Sequence, residues 1–492
     1  MNCVLALDAG TTSLKGVLFD AGGRTVAAAT EEYALAKPCP DLVELDAGLY
    51  WRAAVKVTRA VLASPAAADA RILSVGVTSQ GETLIVTDRA GRPLRPAIVW
   101  MDNRSAEEAA IIEREFGLDA IHRITGQQEM VPTWTATRIL WLRRHEPEVF
   151  GATARFLLVE DFLIHRLTGR AATDRALCPS TLYYDIARGE WWPEMLRFLG
   201  ISADQLPELR TSGQVAGHVT LETSAATGLP AGIPVTTAPI DQIAGAVGAG
   251  NLEPGIVTET TGAALALCAT TDGPVFDPQR RVGTYSHALP GRFALLPWTP
   301  TAGMLLRWFR DEFGAGRDYD ALVREAAAVE PGAAGLTLLP HFCGAGCPQM
   351  NPRAKGVLAG LSLGHGRAHV LRALLESVAF MARENLEMLA ALGVGVREIR
   401  CLGGAARSPL WMQIKADACG RDLVIMECEE AAALGTAMIS FVGNGTCATL
   451  HDAVRAMARV RGRVTHNPAL AAAYDAAYRR YLDLYRETKP LF

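Results

Sequence analysis

The run ALDAGTTSLKGVLFD, residues 6–20, decides the fold. Val4, Leu5 and Leu7 lead into Asp8, Gly10, Thr11, Thr12 and Ser13. Val17, Leu18 and Phe19 then resume an apolar run that ends at the turn signal Asp20-Ala21-Gly22-Gly23. The pattern predicts a strand, a tight turn and a second strand. Backbone N–H groups in such a turn can form an anion-binding concavity, and the three hydroxyls add donors. The carboxylate at the strand end suits a hydrated magnesium ion, which keeps several waters and takes one or two protein carboxylates. With Lys15 close behind, this reads as a nucleotide-phosphate site; the plain alternative is a polar β-hairpin. It is neither a P-loop nor a G-x-G-x-x-G turn.

Around this run lies a chain of 492 residues, half of them hydrophobic. Single cores stop growing near ~250–300 residues, so two or more cores are expected. The net charge is −4 and no basic block or basic–aromatic stripe is present, which argues against nucleic acid as a partner. The ten cysteines are scattered and none forms C-x-x-C. His341, Cys343 and Cys347 in HFCGAGC make a poor metal set, three ligands on a Gly-rich loop with no second pair. Free thiols in a reducing cytosol are expected. The N-terminus lacks signal-peptide features, and no apolar run reaches the ~18 residues of a membrane helix. A cytoplasmic protein without a membrane partner is the expectation.

Farther along, residues 71–80 and 82–88 read as strands joined to the turn 89–93. Ser105 with Glu108 reads as a capping box before a helix to Phe116. Residues 135–144 read as a helix and 154–160 as a strand, with Asp161 available to cap the helix that follows. The stretch 178–234 is rich in Pro, Gly, Ser and Trp and gives no clear pattern. IVTETTGAALALCAT (256–270) repeats the logic of the first hairpin with Thr258, Thr260, Thr261 and Gly262. Two such hairpins suggest two similar domains facing each other. Leu371, Leu374, Leu375, Val378, Ala382, Leu386 and Leu389 form a helical stripe read as core-facing. Residues 398–417 read as strand, Gly turn and helix, 423–426 as a strand, and 431–442 as a helix of small residues that can pack closely. Tyr474, Tyr478, Tyr481, Leu482 and Tyr485 mark an amphipathic C-terminal helix, read as packing or a partner surface; a homodimer is left open.

Eight motifs occur in order: DAGTTSLK (8–15), SQGE (79–82), WMDNRS (100–105), PIDQIAGAVGAG (239–250), TTGAA (260–264), PTAGMLLRW (300–308), GGAARSPLWMQIKAD (403–417) and EEAAALGTAM (429–438). Together they resemble the FGGY family of sugar and polyol kinases over roughly residues 4–445. The resemblance implies an α/β protein of two actin/hexokinase-like (ribonuclease H-like) domains, mixed sheets flanked by helices, with the active site in the interdomain cleft. The domains would run 1–248, with the sugar pocket, first phosphate hairpin and catalytic base, and 249–492, with the second hairpin and the adenine side.

Residue by residue, the resemblance assigns Asp8 to magnesium, through water. Thr11, Thr12, Ser13 and Lys15 match the first phosphate hairpin, and Thr261 and Gly262 the second. Gly303 matches an ATP-contacting glycine, and Gly404 and Ser408 match the adenine-side turn. Arg307 stands where glycerol kinases have glutamine. Asp241 matches the catalytic base; without the family it reads as a helix N-cap. A sugar hydroxyl is a poor nucleophile until its proton has an acceptor, while phosphoryl transfer otherwise needs alignment and charge neutralisation. For the substrate, Glu82 matches a substrate-binding position, and Gly81 replaces the arginine of glycerol kinases, leaving room for a larger ligand. Trp100 is read as a pocket wall, with Asp102, Arg104, Trp134 and Gln242 near the sugar. ATP and Mg2+ are the implied cofactors. The implied reaction is ATP-dependent phosphorylation of a small neutral sugar or polyol, a ketose such as xylulose favoured. Glycerol or a tetritol is the alternative substrate. A non-catalytic sugar-binding protein and an actin-like filament or chaperone ATPase are readings from other classes.

Overall fold

A computed structural model describes residues Met1–Phe492. The chain forms two compact units. The first holds residues 1–252, 272–294 and 430–458, and the second holds 253–271, 295–429 and 459–492. Neither unit is continuous: the domain division expected at residue 248 follows the chain, whereas two later segments pack with the first unit.

The first unit is built on a six-stranded mixed sheet. Its strands are β1 (Asn2–Ala9), β2 (Ser13–Asp20), β3 (Thr25–Glu32), β4 (Arg71–Ser79), β5 (Val215–His218) and β6 (Pro234–Thr237), in the order β5-β6-β4-β1-β2-β3. β1 pairs antiparallel with β2 and parallel with β4, which puts Asp8 opposite Lys15 on one side and Thr78 on the other. Central strands covered on both faces read as continuous apolar runs, and Cys3 to Leu7 are fully buried. On one face Leu5, Leu7 and Ala9 join a core with Tyr50 and Val57 of α1 (Gly48–Leu62).

Two expected helix starts form differently. α2 (Ala106–Phe116) begins without a capping box, because Ser105 Oγ bonds Thr137 Oγ1 at 2.8 Å and the Glu108 carboxylate is taken by Arg144. Thr137 lies on α3 (Thr135–His145). α4 (Val159–Thr168) starts three residues earlier than expected, so Asp161 sits inside its first turn and accepts from the Leu158 N–H at 2.7 Å. The strand expected over 82–88 is limited to Ile85–Thr87, because residues 80–83 turn. α5 (Asp241–Gly248) carries Asp241 as its first residue; Ile240 occupies the N-cap.

The second unit repeats the hairpin theme. β7 (Ile256–Thr261) pairs antiparallel with β8 (Leu265–Thr271) and parallel with β10 (Glu398–Leu402). β9 (Trp298–Thr299) adds to β8, and β11 (Leu423–Met426) and β12 (Val460–Val464) extend the sheet beyond β10. Around it lie α6 (Gly303–Phe313), α7 (Arg367–Ala391) and α8 (Pro409–Cys419). The leucine stripe of α7 is buried, as its spacing predicts.

α9 (Ala431–Gly443) then returns to the first unit and packs on β1 and β4. Its small residues allow backbone contact with α5: a Cβ at Gly435 would collide with the Ala244 carbonyl. α10 (Ala471–Thr488) buries Tyr474, Tyr478, Tyr481 and Tyr485, so those tyrosines serve packing. No helix is long and apolar enough to cross a membrane. All ten cysteines are free thiols, and no group of three His, Cys, Asp or Glu side chains is arranged to hold a metal ion.

Candidate functional site

The turn between β1 and β2 is bolted in place. The Gly10 N–H donates to Ser13 O at 2.9 Å, and Tyr33 Oη donates to Gly10 O at 2.5 Å. Its three hydroxyls divide. Thr11 Oγ1 donates to Gln80 Oε1 at 2.9 Å and accepts from Trp100 Nε1 at 2.9 Å. Thr12 is exposed, and neither its hydroxyl nor that of Ser13 is engaged inside the protein. Thr11 is thus a strut, while Thr12 and Ser13 remain open to a ligand. Lys15 Nζ pairs with Glu430 Oε2 at 2.6 Å, both half-exposed. The backbone of Asp8 is paired in the sheet, while its carboxylate makes no hydrogen bond within the protein. Burial pushes its carboxyl up to about 6; Lys15 opposes the rise and Glu430 adds to it.

Asp241 stands close enough to Asp8 and Glu82 to feel both charges. The segment before it is fixed by the Ala238 N–H donating to Glu160 Oε1 at 3.0 Å and Thr78 Oγ1 donating to Pro239 O at 2.6 Å. Asp241 Oδ1 is enclosed and has no hydrogen-bond partner. Burial holds the Asp241 carboxyl well above its ordinary range, and Asp8 and Glu82 raise it further against the Gln242 N–H. Buried polar atoms without partners are uncommon, and such carboxyls cluster at functional sites.

Glu82 adopts φ = 59°, a left-handed conformation that non-glycine residues rarely take. Its carbonyl is pinned by Arg138 Nη1 at 2.8 Å and Thr135 Oγ1 at 3.2 Å. Arg138, fully buried, also donates to Trp100 O at 2.6 Å and so ties Glu82 and Trp100 together. Burial raises the Glu82 carboxyl to about 7, opposed by Arg138 and Ser180. The space expected beside Gly81 is absent. A Cβ there would lie 2.9 Å from both Ile240 Cδ1 and Ser180 Oγ. This glycine lets the loop approach the segment carrying Asp241, and an arginine at this position would force the loop away.

Three other expected sugar contacts are spent elsewhere. Asp102 is fully buried and accepts from the Val43 N–H at 2.6 Å and from Arg104 Nε and Nη2, each at 2.8 Å. Arg104 also reaches Glu44 at 2.7 Å and lies over the Trp141 ring, 4.9 Å from its centroid. The pair anchors the loop that carries Trp100. Trp134 belongs to the core with Leu84 and Ile139, its indole N–H donating to Glu129 O at 2.8 Å. Gln242, in contrast, is exposed beside Asp241.

In the second unit Thr261 is buried, and its hydroxyl is held by Glu259 and by Lys415 Nζ at 2.7 Å, so it is not open to a phosphate. Gly262 and Gly404 are exposed, and a Cβ at either would meet nothing within 4 Å. Gly303 begins α6, where its N–H donates to Gly262 O at 2.9 Å; a side chain there would strike that carbonyl. Ser408 caps α8 by accepting from the Trp411 N–H at 3.3 Å. Arg307 is exposed and lies 3.8 Å from Asp311. An apolar cavity of about 580 Å³ between Trp308, Phe342, Leu358 and Val370 contains none of these residues.

Glu430, Gln80, Tyr33, Tyr50, Arg138 and Lys415 are the supporting residues that motif reading missed. Gln80, Glu430 and Lys415 lie inside quoted motifs, and Arg138 occupies a buried phase of α3; Tyr33 and Tyr50 carry no local signal. The cation donors are consistent with magnesium: the Asp8 carboxylate takes no hydrogen bond from the protein, and the partnerless Asp241 Oδ1 belongs to a carboxyl that feels the Asp8 charge. One or two carboxylates plus water and phosphate oxygens is the usual set for that ion.

Two family models match the chain: the FGGY family of carbohydrate kinases, N-terminal domain, over residues 3–248, and its C-terminal domain over residues 256–443. A xylulose kinase of Escherichia coli (strain K12) is 32% identical over 85% of this chain and 85% of its own length. A glycerol kinase of Alkalilimnicola ehrlichii is 34% identical over 89% of this chain and 90% of its own. The crystal structure of xylulose kinase from Rhodospirillum rubrum superposes with a TM-score of 0.92 at 31% identity, covering 99% of each chain.

Proposed function

This chain belongs to the FGGY family of carbohydrate kinases, and from that premise we propose that it transfers the γ-phosphoryl group of ATP to a hydroxyl of a small ketose, with Asp241 as general base. ATP-dependent phosphorylation of a sugar or polyol is the activity of its relatives. The observation that carries the assignment of the base is the enclosed, unpartnered Oδ1 of Asp241, in a carboxyl whose proton affinity is raised by burial and by Asp8 and Glu82. A raised carboxyl takes a hydroxyl proton more readily than an ordinary one.

Glu82 and Gln242 would orient the sugar hydroxyls against the half-buried face of Trp100. Carboxylate and amide groups suit hydroxyls, which both donate and accept. Thr12, Ser13, Lys15 and the backbone at Gly262 would hold phosphates, with Gly404 on the adenine side. Asp8 would hold magnesium through water, and the ion's contribution is to neutralise phosphate charge. Xylulose is the favoured substrate. A short polyol is the second reading, supported by the glycerol-kinase relative and by Glu82 and Gln242. The test is ADP release with xylulose, glycerol, erythritol and a hexitol. Xylulose should give the highest kcat/KM; glycerol in first place would favour the second reading, and no stimulation by any of them would overturn the proposal.

The two hairpins predict unequal mutants. Thr12→Val should raise the KM for ATP several-fold with little change in melting temperature, because its hydroxyl is exposed. Thr261→Val should instead lower the melting temperature, because Lys415 loses a buried acceptor worth about 1.5–3 kcal/mol. Steady-state kinetics beside thermal melts check the pair; equal effects on KM alone would contradict it. Glu82→Gln should weaken sugar binding by about 1 kcal/mol, roughly fivefold in KM. It should also flatten the pH dependence of that KM around pH 7, where the Glu82 carboxyl titrates.

A further inference from the structure

The hydroxyl of Thr11 joins two parts of the first unit that the proposed function treats separately. On one side the Trp100 indole donates to it at 2.9 Å; on the other it donates to Gln80 Oε1 at 2.9 Å. Gln80 Nε2 continues to Tyr50 Oη at 3.0 Å, and the Gln80 N–H donates to Ala9 O at 3.0 Å. Gln80 and Tyr50 are buried. Tyr50 meets Tyr33 edge-to-face with centroids 5.3 Å apart, and Tyr33 holds Gly10 O. Indole N–H groups only donate, so Thr11 must accept from Trp100, and its own proton then goes to Gln80. The chain of donors runs one way, from Trp100 through the turn into the core.

We propose that Gln80 and the Trp100 indole N–H are positioning groups that couple the sugar wall to the phosphate hairpin through Thr11. This rests on reading Trp100 as part of the sugar pocket and residues 10–13 as a phosphate site. A sugar against Trp100 fixes the ring, the ring fixes Thr11, and Thr11 fixes the turn whose free donors are Thr12 and Ser13. Each ligand then tightens the other by the same factor, as linkage requires. Buried hydrogen-bonded networks of this kind respond as a unit, so deleting one member should cost about as much coupling as deleting two.

The experiment is calorimetric titration of the full chain with the magnesium complex of adenylyl imidodiphosphate, with and without saturating xylulose. In the wild type, xylulose should tighten nucleotide binding about fivefold or more. Gln80→Met, Thr11→Val and Trp100→Phe should each bring that factor close to one, and Thr11→Val/Trp100→Phe should be no worse than either single variant. Thr11→Ser, which restores the hydroxyl, should restore the factor. A wild-type factor of one overturns the inference, as does a factor retained in Thr11→Val and Gln80→Met, additive losses, or Thr11→Ser behaving as Thr11→Val. If wild-type ADP release responds to xylulose while the variants keep the factor, the relay alone falls. If no sugar or polyol stimulates ADP release, the kinase reading falls with it.

Discussion

Asp241→Asn should fold, bind sugar and lose phosphoryl transfer, with kcat reduced by about 10²–10⁴, the usual contribution of a general base. Its stability should move the other way. The folded carboxyl is raised well above its ordinary value, so the native chain binds this proton more tightly than the unfolded chain does. The wild type is therefore favoured at acid pH and loses that advantage as pH rises from the unfolded value of 3.8 towards the folded one. The asparagine variant carries no such charge. It should melt at a higher temperature than the wild type at pH 8, with the gap closing as pH falls towards 4. Thermal melts across this range check the sign; a variant that melts lower at pH 8 would mean that the ionised carboxyl is stabilised in the fold and is not poised to take a proton.

The second large effect lies in the second unit. Lys415 is almost fully buried and bonds Glu259 Oε1 and Thr261 Oγ1, each at 2.7 Å. Glu259 Oε2 has no partner. Lys415→Met would leave the carboxylate buried and uncompensated, a loss of about 3–5 kcal/mol. Adding Glu259→Gln removes the stranded charge and should return part of that loss. Urea unfolding of the single and double variants measures both. A single variant within about 0.5 kcal/mol of the wild type would show that the pair does not carry the hairpin, since surface substitutions fall in that range.

The sequence made the hairpins legible because strands broken by Gly and Thr need only local geometry. Both form where apolar runs flank such a turn, and the leucine stripe of α7 is buried as its period requires. Side-chain employment was not legible, because it is fixed by partners distant in sequence. Asp102 and Arg104 look like sugar ligands in WMDNRS, yet Val43, Glu44 and the Trp141 ring occupy them. Gly81 looks like space and is instead a close approach to Ile240 and Ser180. Thr11 and Thr261 look like phosphate hydroxyls, and each is held by a residue at least 69 positions away. Glu430 reaches Lys15 across 415 residues, because the segment 430–458 returns to the first unit. No local pattern announces such a return.

Transfer of a phosphoryl group from ATP to a sugar hydroxyl, with Asp241 taking the proton, has a direct spectroscopic signature. Phosphorus-31 NMR of ATP, magnesium and xylulose tests it directly. With the wild type, a phosphomonoester resonance should grow in step with loss of the γ-phosphate signal and without matching inorganic phosphate. With Asp241→Asn, that resonance should be absent over the same interval. A phosphomonoester formed by the variant at the wild-type rate, or inorganic phosphate as the only product of the wild type, would contradict the claim.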